Sequence, residues 1–252
     1  LSSAVPRSVR RAHGVLADSE ATRQALDQLL PDKRRSIEVV YPGVNSRFHP
    51  RPVADAEAAR LRLHLPARFL LFVSTLEPRK NLVRLLEAFA RLAEQPATRD
   101  LHLVIGGRRG WLYDDIFATI ERLALGERIR LLDFVDDKDL PALYNLAWAF
   151  TYPSIYEGFG LPALEALACG TPVLTANNSS LPEVVGDAAV LVDAESVDSI
   201  YDGLARISAD TKLRAALRAA GPARASRFRW EQAAQQVLQA YDRVVRQQPA
   251  AR

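Results

Sequence analysis

The stretch Glu157-Gly158-Phe159-Gly160-Leu161-Pro162-Ala163-Leu164-Glu165 sets two carboxylates at the two ends of a loop that leads into a helix. Ala147 to Pro153 reads as a buried strand. Leu161 to Ala168 reads as a helix, with Pro162 in its first turn and a stop before Gly170. The loop between them is therefore a helix N-terminus, where free backbone N–H groups and the positive pole of the helix dipole attract an anion such as phosphate. Gly158 and Gly160 let the main chain come close to that anion, and the N–H groups of Gly158, Phe159, Gly160 and Leu161 are the expected donors. Glu165, in the first turns, is placed to accept hydrogen bonds from ribose hydroxyls, and Glu157 to face a sugar. Each glutamate alone has a plainer reading, Glu165 as a complement to the helix dipole and Glu157 as a solvated loop residue. The combination points to a phosphorylated sugar.

A second anion-handling feature lies upstream. Arg79 and Lys80 follow the strand Phe69 to Thr75 at its carboxyl end, and two cations beside a diphosphate neutralise the charge that gathers on a departing nucleotide. Such a design supplies its own counter-charge without a metal, and the four histidines, His13, His49, His64 and His102, have no metal-ligand spacing.

These elements belong to a regular alternation. Strands are expected at Phe69 to Thr75, Leu101 to Gly107, Ile129 to Val135, Trp148 to Pro153, Thr171 to Ala176 and Ala188 to Val192. Helices are expected between them at Asn81 to Glu94, Tyr113 to Leu125, Leu140 to Leu146 and Leu161 to Ala168, and after them at Val197 to Ser208. The fold class is α/β, a doubly wound, Rossmann-like parallel sheet whose ligands bind beyond the carboxyl ends of the strands. Ahead of it, Val15 to Ser19 reads as a strand, Glu20 to Leu30 as a helix and Ile37 to Tyr41 as a strand. The proline-rich segment from Pro42 to Pro52 reads as a linker. Behind it, Asp210 to Arg224 reads as a helix pair or broken helix, and Arg229-Trp230-Glu231 opens a long amphipathic helix to about Val245.

The glutamate, seven residues, then glutamate arrangement, filled as it is here, resembles the signature of the retaining glycosyltransferases of family 4, which have the two-domain GT-B architecture. The resemblance extends through Glu165-Ala166-Leu167-Ala168-Cys169-Gly170-Thr171-Pro172-Val173 and through Ser179-Ser180-Leu181-Pro182-Glu183-Val184-Val185-Gly186-Asp187-Ala188-Ala189. Upstream, Ser74-Thr75-Leu76-Glu77-Pro78-Arg79-Lys80-Asn81-Leu82 looks like the family's phosphate-binding loop, and the match runs from about Val15 to Tyr241.

Residues 1–42 are by this resemblance the last elements of an N-terminal acceptor domain whose remainder is missing. Residues 43–225 are the C-terminal nucleotide-sugar-binding domain, and 226–252 the helix that crosses back. The apolar face of that helix must pack on residues 1–42 or stay partly exposed. The chain begins at Leu1 and has no methionine, as expected of a trimmed piece.

The resemblance implies transfer of a hexose from a nucleotide-diphosphate sugar to a saccharide or lipid-linked hydroxyl, with retention of configuration. Lys80, Arg79 and Glu157 would be catalytic. Gly106, in the turn Gly106-Gly107-Arg108-Arg109-Gly110-Trp111, would shape the nucleotide pocket, and Val135 would meet the base edge. Asp137 or Asp139 could equally cap the next helix. Members commonly carry an arginine where this chain has Ser74 and Thr75; Arg79 is the expected substitute, with Arg108 and Arg109 as alternatives. The segment Thr75 to Leu82 resembles bacterial mannosyl- and rhamnosyltransferase-like members, making GDP-mannose the first donor expected and UDP-linked sugars the other.

Composition agrees with a globular enzyme, with 48% apolar and 25% charged residues. No apolar run approaches the roughly 20 residues that cross a bilayer, and the single Cys169 fits a reducing compartment, so a cytoplasmic protein with peripheral contact at the inner membrane face is expected. The net charge of +3 gathers early, at Arg7, Arg10, Arg11, Lys33, Arg34 and Arg35. Without interleaved aromatics this is a solvated face, and a nucleic-acid role is unsupported. A glycoside hydrolase would have no use for the diphosphate cations, and a dehydrogenase would need a glycine fingerprint absent from Gly106 to Trp111. A non-catalytic nucleotide-binding module remains the rival reading.

Overall fold

The computed structural model describes residues 4–30 and 37–247. The chain opens with α1 (Ala4–Arg11), β1 (Val15–Ala17), α2 (Glu20–Leu29) and β2 (Ile37–Val39), followed by α3 (Val53–Arg62), β3 (Arg68–Val73), α4 (Leu82–Ala93) and β4 (Leu101–Gly106). Next come α5 (Asp114–Arg122), β5 (Ile129–Leu131), α6 (Leu140–Leu146), β6 (Ala149–Tyr152), α7 (Leu161–Ala168), β7 (Val173–Ala176), α8 (Leu181–Val185) and β8 (Ala189–Val192). Three helices finish it: α9 (Val197–Ala209), α10 (Thr211–Ala225) and α11 (Trp230–Gln247).

Six strands form one parallel sheet in the order β5-β4-β3-β6-β7-β8. The chain starts at the centre, winds outward through β4 and β5, then returns to β6 beside β3 and winds the other way. This is the doubly wound order, and it leaves a crevice where the direction reverses, at the carboxyl ends of β3 and β6. Strands covered on both faces read as continuous apolar runs. Phe69, Leu70, Leu71 and Phe72 accordingly have no exposed surface. Thr151 and Thr175 lie in the same core without penalty, because their hydroxyls donate to the carbonyls of Leu71 and Tyr152.

Several boundaries differ from expectation, each for a local reason. The strand expected to reach Val135 ends at Leu131. The Leu132 amide still reaches the Ile105 carbonyl, but Asp133 turns left-handed (φ 47) and its carbonyl accepts from the Gly107 amide at 2.6 Å. An edge strand has a partner on one side only, so a turn detaches it readily. α10 is one helix, not a pair or a broken one, although Pro222 lies inside it. Leu217, Gly221 and Ala225 make a buried stripe at helical spacing, so packing outweighs the hydrogen bond that proline removes. Three helices were not expected at all: α1, α3 and α8. The early basic cluster places Arg7, Arg10 and Arg11 on or at the end of α1, which has no buried residue; Lys33, Arg34 and Arg35 lie outside the described residues.

β1 and β2 form a separate parallel pair joined through α2. Helix α2 starts at Ser19, whose hydroxyl accepts the Thr22 amide. Its next free amides, of Glu20 and Ala21, both donate to the Glu183 carboxylate at 3.0 Å, and Tyr41 Oη donates to the same group. An anion supplied by α8 thus fills the N-terminus of α2. Helix α11 behaves in both expected ways. Ala240 is buried, and Arg243 pairs with Glu38, while Leu238, Tyr241 and Val245 stay 63 to 69% exposed. Among the described residues, no helix is long and apolar enough to cross a membrane.

Gly107 ties two loops at the mouth of the crevice. Its φ is +150, and a Cβ there would lie 1.7 Å from the Ser74 carbonyl oxygen. Gly107→Ala should therefore destabilise by roughly 2 kcal/mol or more in urea titration. Gly126→Ala, where a Cβ meets nothing within 4 Å, should shift stability by no more than about 1 kcal/mol.

Candidate functional site

After β3 the chain makes a single tight turn over Pro78–Lys80 and ends it at Asn81 in the left-handed region (φ 62), where asparagine is tolerated. The Asn81 amide group donates to the carbonyls of Pro153 and Ala194, and the Ile155 N–H donates to the Arg79 carbonyl. The loop after β3 is thereby fastened to the loop after β6. This fastening aims Lys80 inward and Arg79 outward along the crevice.

Lys80 Nζ donates to Glu157 Oε1 and to Tyr152 Oη, each at 2.7 Å. Arg79 Nη1 donates to Glu157 Oε2 at 3.0 Å and to the Tyr156 carbonyl at 2.6 Å, and Arg79 Nη2 donates to Glu77 Oε1 at 2.7 Å. Trp111 Nε1 completes the chain by donating to Glu77 Oε2 at 3.1 Å. Both oxygens of Glu157 are thus occupied, one by each cation. The charges of Glu77, Arg79, Lys80 and Glu157 sum to zero.

Lys80 and Glu157 are each only 7% exposed. Burial lowers the Lys80 pKa below its ordinary value, and the adjacent Glu157 carboxylate offsets part of that. Burial by itself would raise the Glu157 carboxyl, but the Lys80 ammonium together with the Ser154 and Tyr152 hydroxyls holds the group below the usual range. Arg79 also loses hydration, and the two glutamates it bridges more than compensate, leaving its pKa raised. Each partner's charge thus offsets part of the cost of burying the other. Burial also holds the Tyr152 phenol well above its ordinary value, so it meets the lysine as a neutral hydroxyl.

The loop from Glu157 is held from below and above. Glu157 N donates to Ser179 Oγ, and the Ser180 hydroxyl donates to the carbonyls of Glu157 and Phe159. Gly160 has φ +107 and sits where a Cβ would strike Leu181 at 2.8 Å. Helix α7 begins there with no side-chain cap; the amides of Ala163 and Leu164 turn back to the Gly160 carbonyl, leaving the first-turn end open to the crevice loop. The Phe159 ring is buried between Tyr41 and Phe228, so its side chain anchors the loop. Gly158 faces the small N-terminal unit, with its carbonyl accepting from Thr22 Oγ1 and its α-carbon side against Asp18. Ser179, Ser180 and Leu181 position this loop, and sequence reasoning assigned them no role; their signal was the run of two serines before a helix start at Leu181-Pro182.

Glu165 is not in the ionic network. It is half-buried on α7 and accepts from Tyr144 Oη at 3.1 Å; Arg47 and Asp137, themselves paired at 3.1 Å, act on it electrostatically in opposite directions. Burial pushes its pKa up to about 7, and the Tyr144 hydrogen bond reduces this only in part. Gly106 and Val135 do come together, since a Cβ on Gly106 would lie 2.8 Å from Val135 Cγ2. Asp137 and Asp139 do not cap α6. Asp137 pairs with Arg47 and Asp139 with Arg62, and the helix start has no side-chain cap. Arg108 lies over the Phe134 ring and Arg109 over Tyr113 and Phe117, so of the candidate arginines only Arg79 joins the Glu157 network. Cys169 is buried, with its thiol pKa raised to about 12 by burial.

Residues 54–224, more than half of the chain, match the glycosyl transferases group 1 family. The chain belongs to that family. This group 1 glycosyltransferase chain is 37% identical over 235 residues to O-antigen chain mannosyltransferase B of Escherichia coli, covering 93% of the chain and 61% of that protein. It is 35% identical over 242 residues to the D-inositol 3-phosphate glycosyltransferase of Kribbella flavida, covering 92% and 57%. Its fold matches sucrose-phosphate synthase of Thermosynechococcus elongatus with a TM-score of 0.84 at 27% identity, over 97% of this chain and 61% of that one. The fold of Anabaena HepE, solved with UDP and glucose, matches with a TM-score of 0.82 at 24% identity, over 93% and 64%. The α/β architecture with its six-stranded parallel sheet is thus that of GT-B glycosyltransferases. The group 1 chain spans about three fifths of the length of these relatives.

The two glutamates should respond differently to perturbation. Lys80→Ala leaves the buried Glu157 carboxylate with Arg79 alone and should cost about 3 kcal/mol of stability, whereas Lys80→Met with Glu157→Gln should cost clearly less. Glu165, protonated more readily folded than unfolded, disfavours the folded state progressively as pH rises from about 4.5 through 7. The stability difference between Glu165→Gln and the unaltered protein should therefore grow in the variant's favour over that window, by roughly 1 to 3 kcal/mol in denaturant titrations.

Proposed function

We propose that this chain is the C-terminal, nucleotide-sugar-binding part of a family 4 retaining hexosyltransferase, with a GDP-linked mannose as first donor and a UDP-linked sugar as second. The observation that carries the reading is the pair of Lys80 and Glu157, which joins the carboxyl ends of β3 and β6 across the crevice of a doubly wound sheet, where such folds bind nucleotides. Residues 1–42 are the closing elements of an acceptor domain, 43–225 the donor domain and 226–252 the segment, with α11 in it, that crosses back to the N-terminal domain.

In this reading Lys80 and Arg79 hold the diphosphate, assisted by the amides of Gly158, Phe159, Gly160 and Leu161. Glu157 engages the hydroxyls of the transferred sugar, Glu165 the ribose, and Gly106 with Val135 the base. The bond from the anomeric carbon to the diphosphate oxygen breaks as the acceptor hydroxyl oxygen bonds to that carbon and its proton passes to the departing diphosphate oxygen, and the cations stabilise the leaving diphosphate. The transition state has oxocarbenium character, as in other glycosyl chemistry. The acceptor is a saccharide or a lipid-linked saccharide. Kinship to mannosyltransferases supports mannose, and the UDP complexes of a neighbour of the same fold support a nucleotide ligand. Donor binding is the property proposed for the chain by itself, with complete transfer belonging to a protein of its relatives' length.

Calorimetric titration with UDP, GDP and ADP, then with their hexose conjugates, tests this. Lys80→Ala should weaken nucleoside diphosphate binding by about tenfold or more while changing nucleoside binding little. Glu165→Ala should weaken both. Because the ribose hydroxyls select the ionised Glu165, nucleotide binding near pH 6 should release protons, seen as a dependence on buffer ionisation enthalpy that Glu165→Gln abolishes. Equal affinity of the Lys80→Ala and unaltered proteins for diphosphates sinks the phosphate assignment.

A further inference from the structure

Trp111 combines a fixed polar edge with open faces. Its indole N–H is fixed on Glu77, yet 59% of its surface is exposed. The loop that carries it is not loose. Leu76 N donates to the Arg108 carbonyl, Gly110 N donates back to the Leu76 carbonyl at 3.0 Å, and a Cβ on Gly110 would lie 2.7 Å from that oxygen. Beyond it, Leu112 is held in the left-handed region (φ 50), which a leucine adopts only when its surroundings impose it. A large ring is therefore kept at the surface by a rigid loop, its polar edge tied down and its apolar faces open.

Such a ring matches the C–H face of a pyranose, which covers an aromatic surface while its hydroxyls point outward to polar groups at the rim. The rim is present. Glu77 can accept from a hydroxyl, and Arg79, which bridges Glu77 and Glu157, can donate. Tyr156, also exposed, follows on the β6 loop, and its carbonyl takes the other hydrogen bond of Arg79 Nη1. Lys80 and Glu157 lie inside at 7% exposure, and Trp111 is joined to them outward through two ionic links, Glu157 to Arg79 and Arg79 to Glu77, and one hydrogen bond from its indole to Glu77. A donor sugar bound at Glu157 leaves Trp111 to the next sugar along the crevice.

We propose that Trp111, with Glu77 at its edge, is a stacking subsite for a pyranose of the saccharide acceptor. This rests on the sugar-transfer reading of the same crevice. The test is proton–nitrogen correlation NMR of the indole groups of the chain, which has three tryptophans, Trp111, Trp148 and Trp230. Trp111→Phe identifies the relevant signal. Titration with α-mannobiose, with and without GDP, should move the Trp111 signal to saturation and leave those of Trp148 and Trp230 in place. Trp111→Ala should weaken mannobiose binding roughly three- to tenfold, with melting temperature and GDP affinity unchanged, and Trp111→Phe should retain most of it.

GDP reaches the Trp111 N–H through Arg79 and Glu77, so mannobiose is also titrated into the GDP-saturated chain; a loss of GDP affinity in Trp111→Ala at unchanged melting temperature would make the ring a base platform, and indifference of its signal to saccharide would leave it a brace for Glu77; either result overturns the proposal. So would a fall in melting temperature in Trp111→Ala matching the loss of binding. Failure of GDP to bind speaks against the nucleotide reading, and the response to mannobiose alone is read independently of it.

Discussion

The site is organised by one buried carboxylate shared between two cations. Glu157 comes from the end of β6, and Lys80 and Arg79 come from the end of β3, so the contact exists only because the sheet order places those strands side by side. Ionised groups at this depth are costly unless paired, and removing either partner leaves the other's desolvation uncompensated. The need to keep the pair explains the surrounding geometry: the left-handed Asn81 that turns Lys80 inward, the amide of that residue clamped to Pro153 and Ala194, and the serines that hold the Glu157 loop. Because Glu77 and Glu157 already balance Arg79 and Lys80, an arriving diphosphate finds no excess positive charge in this network. It must share Lys80 with Glu157 or draw the balance from the uncapped start of α7. That is a reason for the proposed phosphate loop and the helix end to lie on the same crevice.

A second anchoring acts from the N-terminal unit. Glu183 on α8 fills the free amides of α2, Thr22 holds the Gly158 carbonyl, and Tyr41 meets both Glu183 and the buried Phe159. Burial and the neighbouring Glu183 carboxylate push the Tyr41 phenol up to about 12, so it donates throughout the ordinary pH range. The loop with Gly158 and Gly160 is consequently gripped by the small β1–β2 unit on one side and by Ser180 on the other. Relative movement of the two units would be felt at Gly158, beside the residues proposed to hold the diphosphate.

Much of this was legible in the residues. Continuous apolar runs such as Phe69 to Phe72 announce strands buried on both faces, and their alternation with helical periods announces the parallel sheet. The paired glutamates and the Arg79-Lys80 dipeptide were found from type and spacing. The strand end at Leu131 was not legible, because the residues after it, Leu132, Phe134 and Val135, are as apolar as a strand requires and the turn is imposed by a hydrogen bond from Gly107. Helix α10 was misjudged because Gly221-Pro222 looks like a break, whereas α7 packed beneath it overrules local propensity. Helices α1, α3 and α8 went unseen, the first because it has only eight residues and buries none of them, so its amphipathic pattern marks no core. Ser180 and Glu183 escaped because their work is done across more than twenty residues of sequence or, for Glu183, more than a hundred and sixty.

The two glutamates of the motif show how one residue type takes opposite electrostatic characters eight positions apart. Glu157 is buried with cations on both oxygens and is held ionised; Glu165 is partly buried with only a neutral phenol in contact and is pushed up to about 7. Pairs of carboxyls driven apart in this way divide labour, one a fixed charge and the other a group that can change protonation near neutrality. The fixed charge lies among the cations, where a change of ionisation would unbalance the network. The adjustable one lies on the far side of α7's first turn, near Arg47 and Asp137, where a hydroxyl donor can tip it toward the anion without disturbing Lys80. The spacing of seven residues is what separates them. It spans the open loop and the first helical turn, so that a single backbone segment presents its amides between two carboxylates whose surroundings differ.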